Sequence, residues 1–336
     1  MSFTRLEPTD FVISTDAISS TLFSNNAPAL TAAFTSSAQV AGSTGNFYIN
    51  VYNSATTESV QFAIAYGNSV GSGSLNYNSS VNGYSPTSTI YGQWQDLVLG
   101  DENSDFIFGA ITSSEFYALT FERARYKDSL FLGSLSLTLS ASGGSITLTD
   151  NSAYVSSVQF TEAGRVFQLI TGSTGTRATI TSRNTADGYS ANSGSYGWLL
   201  PDIGTILLNP KALGAPAVSG GIAFTYSGSA SASAAPNLSP NASLYNSLVS
   251  ALTGGSSNDF YLNAQESITS DFIFVRPKSV EYNYSENPSF INNPQTYITT
   301  VGLYNDTNQL LAVAKLSRPL PKDFTTEALI RVKLDF

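Results

Sequence analysis

Residues 135–150 read LSLTLSASGGSITLTD. Leu135, Leu137 and Leu139 alternate with serine and threonine, and Ile146 and Leu148 do the same beyond Gly143-Gly144. An apolar residue at every second position shares one face of a strand, because successive side chains point to opposite sides. The glycine pair supplies the turn. The stretch therefore spells an antiparallel hairpin with one apolar face.

The same pattern recurs outward in both directions. NFYINVYN (46–53) and VQFAIAY (60–66) alternate and are rich in aromatic and β-branched residues, as strands require. RVFQLI (165–170) and residues 178–181 read as strands around glycine-rich turns. YGWLL (196–200), the turn PDIG (201–204) and TILL (205–208) read as strand, turn, strand. EALIRVKLDF (327–336) alternates Leu329, Arg331 and Lys333 with Ile330, Val332 and Leu334. One helix is predicted over 239–252. Ser239 is its N-cap, Pro240 its first residue, and Gly254 its terminating glycine. Leu244, Leu248, Ala251 and Leu252 fall on one side of it. The Ser/Ala-rich run 227–238 before it reads as a linker, and the Gly/Ser/Asn-rich run 67–89 as a long surface loop.

The expected fold class is mainly β: several small antiparallel β-sandwich-like domains with one short helix. The expected divisions are an N-terminal β region (1–150), a middle β region carrying the Ser/Ala loop and the helix (151–255), and a C-terminal β docking module (256–336). No repeat of fixed period is present, which argues against a propeller or β-helix.

Composition narrows the chemistry. Of 336 residues 42% are hydrophobic and only 12% charged, with a formal net charge of −9. The basic residues are few and scattered, so neither nucleic acid nor an anionic membrane surface is an expected partner. The chain has no cysteine and no histidine. That excludes disulfides, thiolate metal sites, cysteine nucleophiles and every mechanism that uses an imidazole. The N-terminus lacks a signal-like apolar run, and no stretch approaches the ~20 apolar residues of a membrane span. The chain is expected to be made and folded in the cytoplasm, without membrane insertion. The sequons at Asn78 and Asn241 are then chance matches in an Asn/Ser-rich sequence.

Several motifs imitate active sites. Gly67-Asn68-Ser69-Val70-Gly71 matches the nucleophile-elbow pattern, but the serine would lack a histidine base, so a turn is expected. Asp101, Asn103 and Asp105 match the start of a calcium loop. Phe106 stands where glycine is needed and Thr112 where glutamate is needed, so a polar hairpin turn is expected. Asp101, Glu102, Asp105 and Glu115 near Trp94 could serve carbohydrate cleavage. Trp94 and Trp198 read instead as core or interface anchors. FERARYK (121–127) reads as a strand with its charged side in water, and Arg123 and Arg125 suit pairing with carboxylates of a neighbouring subunit. No catalytic, cofactor-binding or metal-binding residues are expected.

The C-terminal region raises a different possibility. YITTVGLYNDTNQLLAVAKLSRPL (297–320) is two largely apolar strands around the polar turn Asn305-Asp306-Thr307-Asn308. With VRPKSVEYNYSENPSF (275–290) and EALIRVKLDF, it resembles the end of virion structural proteins of contractile-tailed bacteriophages. VGLYNDTNQLLAVA (301–314) is similar to a strand–turn–strand pattern in tail-fibre and baseplate-associated proteins. IYGQWQDLVLG (90–100) and FERARYKDSLFLGSLSLTL (121–139) resemble the same group. The resemblance is firmest over 272–336, looser over 90–150, and absent from the first eighty residues.

The resemblance implies a non-enzymatic particle component at the tail baseplate or fibre attachment. Its partners would be other virion proteins and copies of itself, with host surface glycan as a further partner. The alternatives are a neck, collar or capsid-decoration protein, or a carbohydrate-binding or depolymerising fibre module. The expected location is the virion tail region, assembled in the host cytoplasm. The expected interface residues are Trp94, Arg123, Arg125, Tyr297, Leu303, Tyr304, Leu311, Val313 and Phe336.

Overall fold

The computed structural model describes residues 4–23, 28, 30, 32–34, 48–53, 59–71, 86–109, 111–178, 189–190, 194–224, 240–252 and 259–335. The chain is mainly β. In order, the strands are β1 Phe11–Thr21, β2 Ala32–Phe34, β3 Tyr48–Tyr52, β4 Val60–Asn68, β5 Phe106–Phe108, β6 Ile111–Ser113, β7 Glu115–Phe121, β8 Ser129–Leu130, β9 Ser136–Ala141 and β10 Gly144–Asp150. There follow β11 Gln159–Thr161, β12 Gly164–Ser173, β13 Thr176–Arg177, β14 Tyr189–Ser190, β15 Gly194–Ser195, β16 Gly197–Leu200 and β17 Thr205–Leu208. The last are β18 Phe260–Tyr261, β19 Asn263–Val275, β20 Thr296–Tyr304, β21 Leu310–Lys322 and β22 Ile330–Asp335. The helices are α1 Pro86–Leu99, α2 Pro210–Gly214 and α3 Pro240–Leu252.

Two compact units emerge, residues 19–266 and residues 1–18 with 267–336. The larger is built on one antiparallel sheet in the order β18-β9-β10-β12-β16-β17-β7-β4-β3-β2. The hairpin of residues 135–150 lies in this sheet, with Leu137 opposite Leu148 and Leu139 opposite Ile146. The division expected near residue 150 falls inside this unit, because β10 pairs directly with β12.

Both faces of the sheet are buried. Phe116, Ala118 and Leu207 point to one apolar cluster, shared with Tyr91 and Val98 of α1. Their chain neighbours Tyr117, Leu119, Ile206 and Leu208 point to the other, shared with Leu244 and Leu248 of α3. Coverage on both sides explains why GWLL and TILL are continuously apolar rather than alternating.

α3 lies where its periodicity places it, while Ser239, the Ser/Ala run 227–238 and Gly254 lie outside the described residues. Helices α1 and α2 were not anticipated. The buried stripe of α1 is Thr87, Tyr91, Gln95 and Val98. Two of those four are polar, which hides the helical period. Gln95 is satisfied internally, its Nε2 donating to the Ser104 carbonyl at 2.6 Å. Of the run 67–89, residues 72–85 lie outside the described residues, and 86–89 begin α1. The strand expected over 178–181 is not found at Ala178, and 179–181 lie outside the described residues; the local pair is β12 with β13, Gly172 opposite Arg177.

Residues 121–127 do not form one strand. β7 ends at Phe121 and a 3-10 turn spans Arg123–Arg125. The turn lets Arg125 reach back, with Nε donating to the Val60 carbonyl at 2.9 Å and Nη2 to Ser59 Oγ at 3.0 Å. Nor is 101–105 a turn between strands, since it joins α1 to β5. Among the positions of the larger unit that demand glycine is Gly204, which has φ +62° and the Tyr126 ring packed where a Cβ would stand.

The smaller unit contains a sheet of β1, β19 and β22, and the separate hairpin β20–β21. β19 and β22 pair with Phe272 opposite Lys333 and Phe274 opposite Arg331. Asp10 and Arg276 form an ion pair at 3.6 Å. Among the described residues of this unit, Ile273, Ile330 and Val332 are the buried large aliphatic side chains. Most of the large apolar side chains that stand exposed among the described residues belong to it, among them Phe11, Ile13, Tyr284, Ile291, Leu311 and Leu329.

Candidate functional site

The hairpin β20–β21 shows how an apolar strand pair comes to have one exposed face and one half-buried face. Its tip is organised by Asn305. The Asn305 Oδ1 accepts from the Thr307 amide at 3.1 Å, the Thr307 hydroxyl at 2.8 Å and the Gln309 amide at 2.8 Å. Asn308 takes the left-handed conformation at φ 61°, which asparagine tolerates well. This Asx turn fixes the register behind it: Leu303 opposite Ala312, Gly302 opposite Val313, Val301 opposite Ala314.

That register sorts the side chains. Leu303, Val301, Ala312 and Ala314 share one face and are half-buried. Gly302, Tyr304, Leu310 and Val313 share the other. An irregularity between Leu303 and Tyr304 places Leu310, rather than Leu311, opposite Tyr304. The Tyr304 ring and Leu310 lean over Gly302, within 2.9 and 3.3 Å of where a Cβ would stand. Tyr304, Leu310 and Val313 are nonetheless 40%, 52% and 58% exposed. Leu311 sits at the irregularity, 68% exposed. Tyr297 is also exposed, opposite Pro321 near the base. Covering the exposed part of each such side chain would contribute about 1–2 kcal/mol.

The base of the hairpin is locked by a buried lysine. Lys322 is fully buried, and its Nζ donates to Asn283 Oδ1 at 2.9 Å, the Asp323 carbonyl at 2.9 Å and the Ser279 carbonyl at 3.1 Å. All three ammonium protons are used. The loop 279–283 is thereby tied to the end of β21.

Five of the expected interface residues, Tyr297, Leu303, Tyr304, Leu311 and Val313, thus come together on one hairpin. Phe336 lies outside the described residues. Trp94, Arg123 and Arg125 belong to the larger unit. Trp94 is half-buried on α1, edge-on to Phe116 at 6.1 Å, so it anchors packing. Trp198 is buried against Phe108 at 4.9 Å. The Arg125 guanidinium is held by Ser59 and Val60, and burial lowers its pKa. Arg123 is exposed and lies 4.6 Å over the Tyr126 ring. It lines an open cleft of about 480 Å³ with Glu122, Asn50 and Thr120.

The motifs that imitate active sites are occupied with structural tasks. Asp101 accepts from the Asn103 amide at 3.0 Å and the Ser104 hydroxyl at 3.1 Å, and these bonds hold its carboxyl below the ordinary value. The Tyr66 hydroxyl donates to Glu115 at 2.5 Å. Gly67–Gly71 ends β4 in a turn in which the Gly71 amide meets the Asn68 carbonyl at 2.9 Å. Among the described residues no group of three or more acidic side chains could hold a metal ion. No described helix is long and apolar enough to cross a membrane.

Sequence reasoning missed Leu310, Lys322 and the whole of β1. A lysine in a run of exposed residues carries no sign that it will be buried. β1 reads FVISTDAISST, whose apolar residues follow neither period cleanly. Comparison with protein-family models, with curated protein sequences and with solved structures yields no match.

Proposed function

We propose that this chain is a structural component of a contractile-tailed phage particle, at the tail baseplate or fibre attachment. It acts by protein–protein assembly, with neither catalysis nor a cofactor. The observation that carries this reading is the apolar surface of the smaller unit, to which the hairpin β20–β21 contributes Tyr297, Tyr304, Leu310, Leu311 and Val313. Exposed contiguous apolar side chains on a folded chain mark contact surfaces. The hairpin lies within the region whose sequence resembles tail proteins. The absence of histidine and cysteine from the sequence suits a part that works by contact alone.

A second reading, saccharide binding, has the cleft of Asn50, Thr120, Glu122 and Arg123 behind it. It ranks lower because Arg123 covers one face of the Tyr126 ring and Gly204 packs on that ring too, leaving no free stacking platform.

The test is cryo-electron microscopy of purified particles, with particles carrying Leu311→Asp and Val313→Asp alongside. Density at the baseplate or a fibre root, lost in the double variant, is the expected result. Density at the neck or capsid would move the location and keep the class. Absence from wild-type particles would overturn the reading.

A further inference from the structure

Lys322 and Asn283 are an amine and a carboxamide buried together. Lys322 Nζ lies 2.9 Å from Asn283 Oδ1, and both side chains are shielded from solvent. The other partners of Nζ are the Ser279 and Asp323 carbonyls. None of the three is a carboxylate, so a cation is held out of water without a countercharge, which is costly. The carboxylates next along the chain bond elsewhere. Asp323 Oδ1 accepts from the Thr325 amide and hydroxyl, and Glu281 Oε2 from the Lys278 amide.

The pair is aimed as well as close. An amine 2.9 Å from a carboxamide oxygen lies within about 4 Å of its carbon. Oriented attack proceeds from ~3–3.5 Å. The Ser279 carbonyl accepts from Lys322 Nζ and also from Asn283 Nδ2, so the two nitrogens converge on one oxygen. Tyr282, next to Asn283, takes the left-handed φ of 53°, a conformation that non-glycine residues keep only where the surroundings hold it. The Thr296 hydroxyl reaches the Tyr282 carbonyl at 2.8 Å and the Lys322 carbonyl at 3.2 Å, holding the two backbones together.

We propose that Lys322 and Asn283 join in an isopeptide bond, a covalent staple made by the folded chain itself. A desolvated lysine amine is a nucleophile once one proton has left it. Its lone pair attacks Asn283 Cγ. The Nζ–Cγ bond forms, the Cγ–Nδ2 bond breaks, and the electron pair of that bond leaves with the nitrogen. Nζ sheds two protons in all; Nδ2 takes up two and departs as ammonium. Nothing is oxidised or reduced, and no co-reactant is consumed. The product is a neutral secondary amide, so the cost of the buried charge disappears and the ammonium escapes to water. Among the described residues no carboxylate hydrogen-bonds to either nitrogen. Closure is therefore a slow maturation that starts from the hydrogen-bonded pair, rather than a step of folding. The bond joins residues 39 apart in sequence and encloses the whole of β20. A small unit with few buried aliphatic side chains gains from such a staple, and a chain without cysteine cannot make one from sulfur.

The test is mass spectrometry of the purified full chain, fresh and after a week at room temperature. The folded chain is expected to become lighter than its sequence mass by one ammonia. Its digest is expected to contain a branched peptide joining Asn283 to Lys322. Lys322→Arg, which keeps a cation there, is expected to lose the branched peptide entirely. So is the wild-type chain stored unfolded in guanidinium chloride, where nothing holds the pair together. An aged, folded wild-type chain at its full sequence mass overturns the proposal. Ammonia lost without the branched peptide overturns it too, since that is the mark of a succinimide at an asparagine. A branched peptide that forms equally in the unfolded chain would show that the fold does not select this pair, and would overturn it as well. Should Lys322→Arg fail to fold, the wild-type digest still decides.

Discussion

Replacing Lys322 with methionine tests whether the hairpin base is held as described. The methionine keeps most of the stem volume and removes the ammonium. Three hydrogen bonds go with it, to Asn283, Asp323 and Ser279. Each is charge-assisted and contributes about 1.5–3 kcal/mol. Against this, burying an ammonium costs several kcal/mol, which the variant recovers. The stranded oxygens then decide the sign: a buried acceptor left without a donor costs about 1–3 kcal/mol. Asn283 is itself buried, so water cannot freely replace the ammonium there. The balance is a loss of about 3 kcal/mol, local to the hairpin base and the loop 279–283. Native-state hydrogen exchange reads it. At 1.4 kcal/mol per factor of ten, the amides of Thr296, Tyr297 and Ile298 should exchange on the order of 100-fold faster. The amides of β16 and β17, in the other unit, should not change. A change of less than about threefold at the hairpin base would refute the reasoning, since it would mean the three oxygens find other donors at no cost.

Three further outcomes are expected. Asn305→Ala removes the acceptor of three hydrogen bonds and should cost about 1–2 kcal/mol; faster exchange of the Ala312 and Val313 amides, with the hairpin base unchanged, is the readout. Burial pushes the Tyr91 hydroxyl, which donates to the Ser113 carbonyl at 2.8 Å, up to about 12. Because its folded pKa is raised, the stability it contributes is complete below the ordinary tyrosine value and is lost as pH rises from about 10 to 12; Tyr91→Phe should flatten alkaline unfolding in that window. Burial alone would raise the Asp202 carboxyl, but the Arg165 hydrogen bonds, at 2.5 to 3.2 Å, outweigh it and leave it below its ordinary value. That contribution is present above about pH 4 and is lost as pH falls through the folded value; Asp202→Asn should destabilise at neutral pH and shrink the acid-side slope of urea midpoints.

Strand alternation was legible where one face is apolar and the other carries serine and threonine, as in residues 135–150. It was equally legible in GWLL and TILL, where a turn stands between two apolar runs. What the sequence concealed was coverage. α1 hides because Thr87 and Gln95 fill places on its buried stripe. The turn Arg123–Arg125 hides because Arg125 is drawn to the start of β4, a partner sixty-five residues away along the chain. The hairpin itself was plain from Tyr297 onward, and five of the residues expected at an interface lie on it. Its exposed partner Leu310 was missed because the irregularity at Tyr304 shifts the alternation by one residue. No periodicity argument anticipates such a shift.

The two units use similar strands to opposite effect. TILL in β17 is buried throughout, and TYITTVGLY in β20 is buried nowhere. Apolar content does not separate them, since both are rich in leucine, isoleucine or aromatic residues. The difference is the second layer. A sheet is stable when something lies over its apolar faces. In the larger unit α1 and α3 supply that layer from the same chain. The smaller unit holds no α-helix among its described residues, only the short 3-10 turns Pro8–Asp10 and Pro288–Phe290. Its second layer, under the proposal made above, comes from another chain. Substitutions that probe function therefore belong first on Tyr297, Tyr304, Leu311 and Val313. The carboxylates Asp101 and Glu115, which resemble chemistry in the sequence, already spend their oxygens on Asn103, Ser104 and Tyr66.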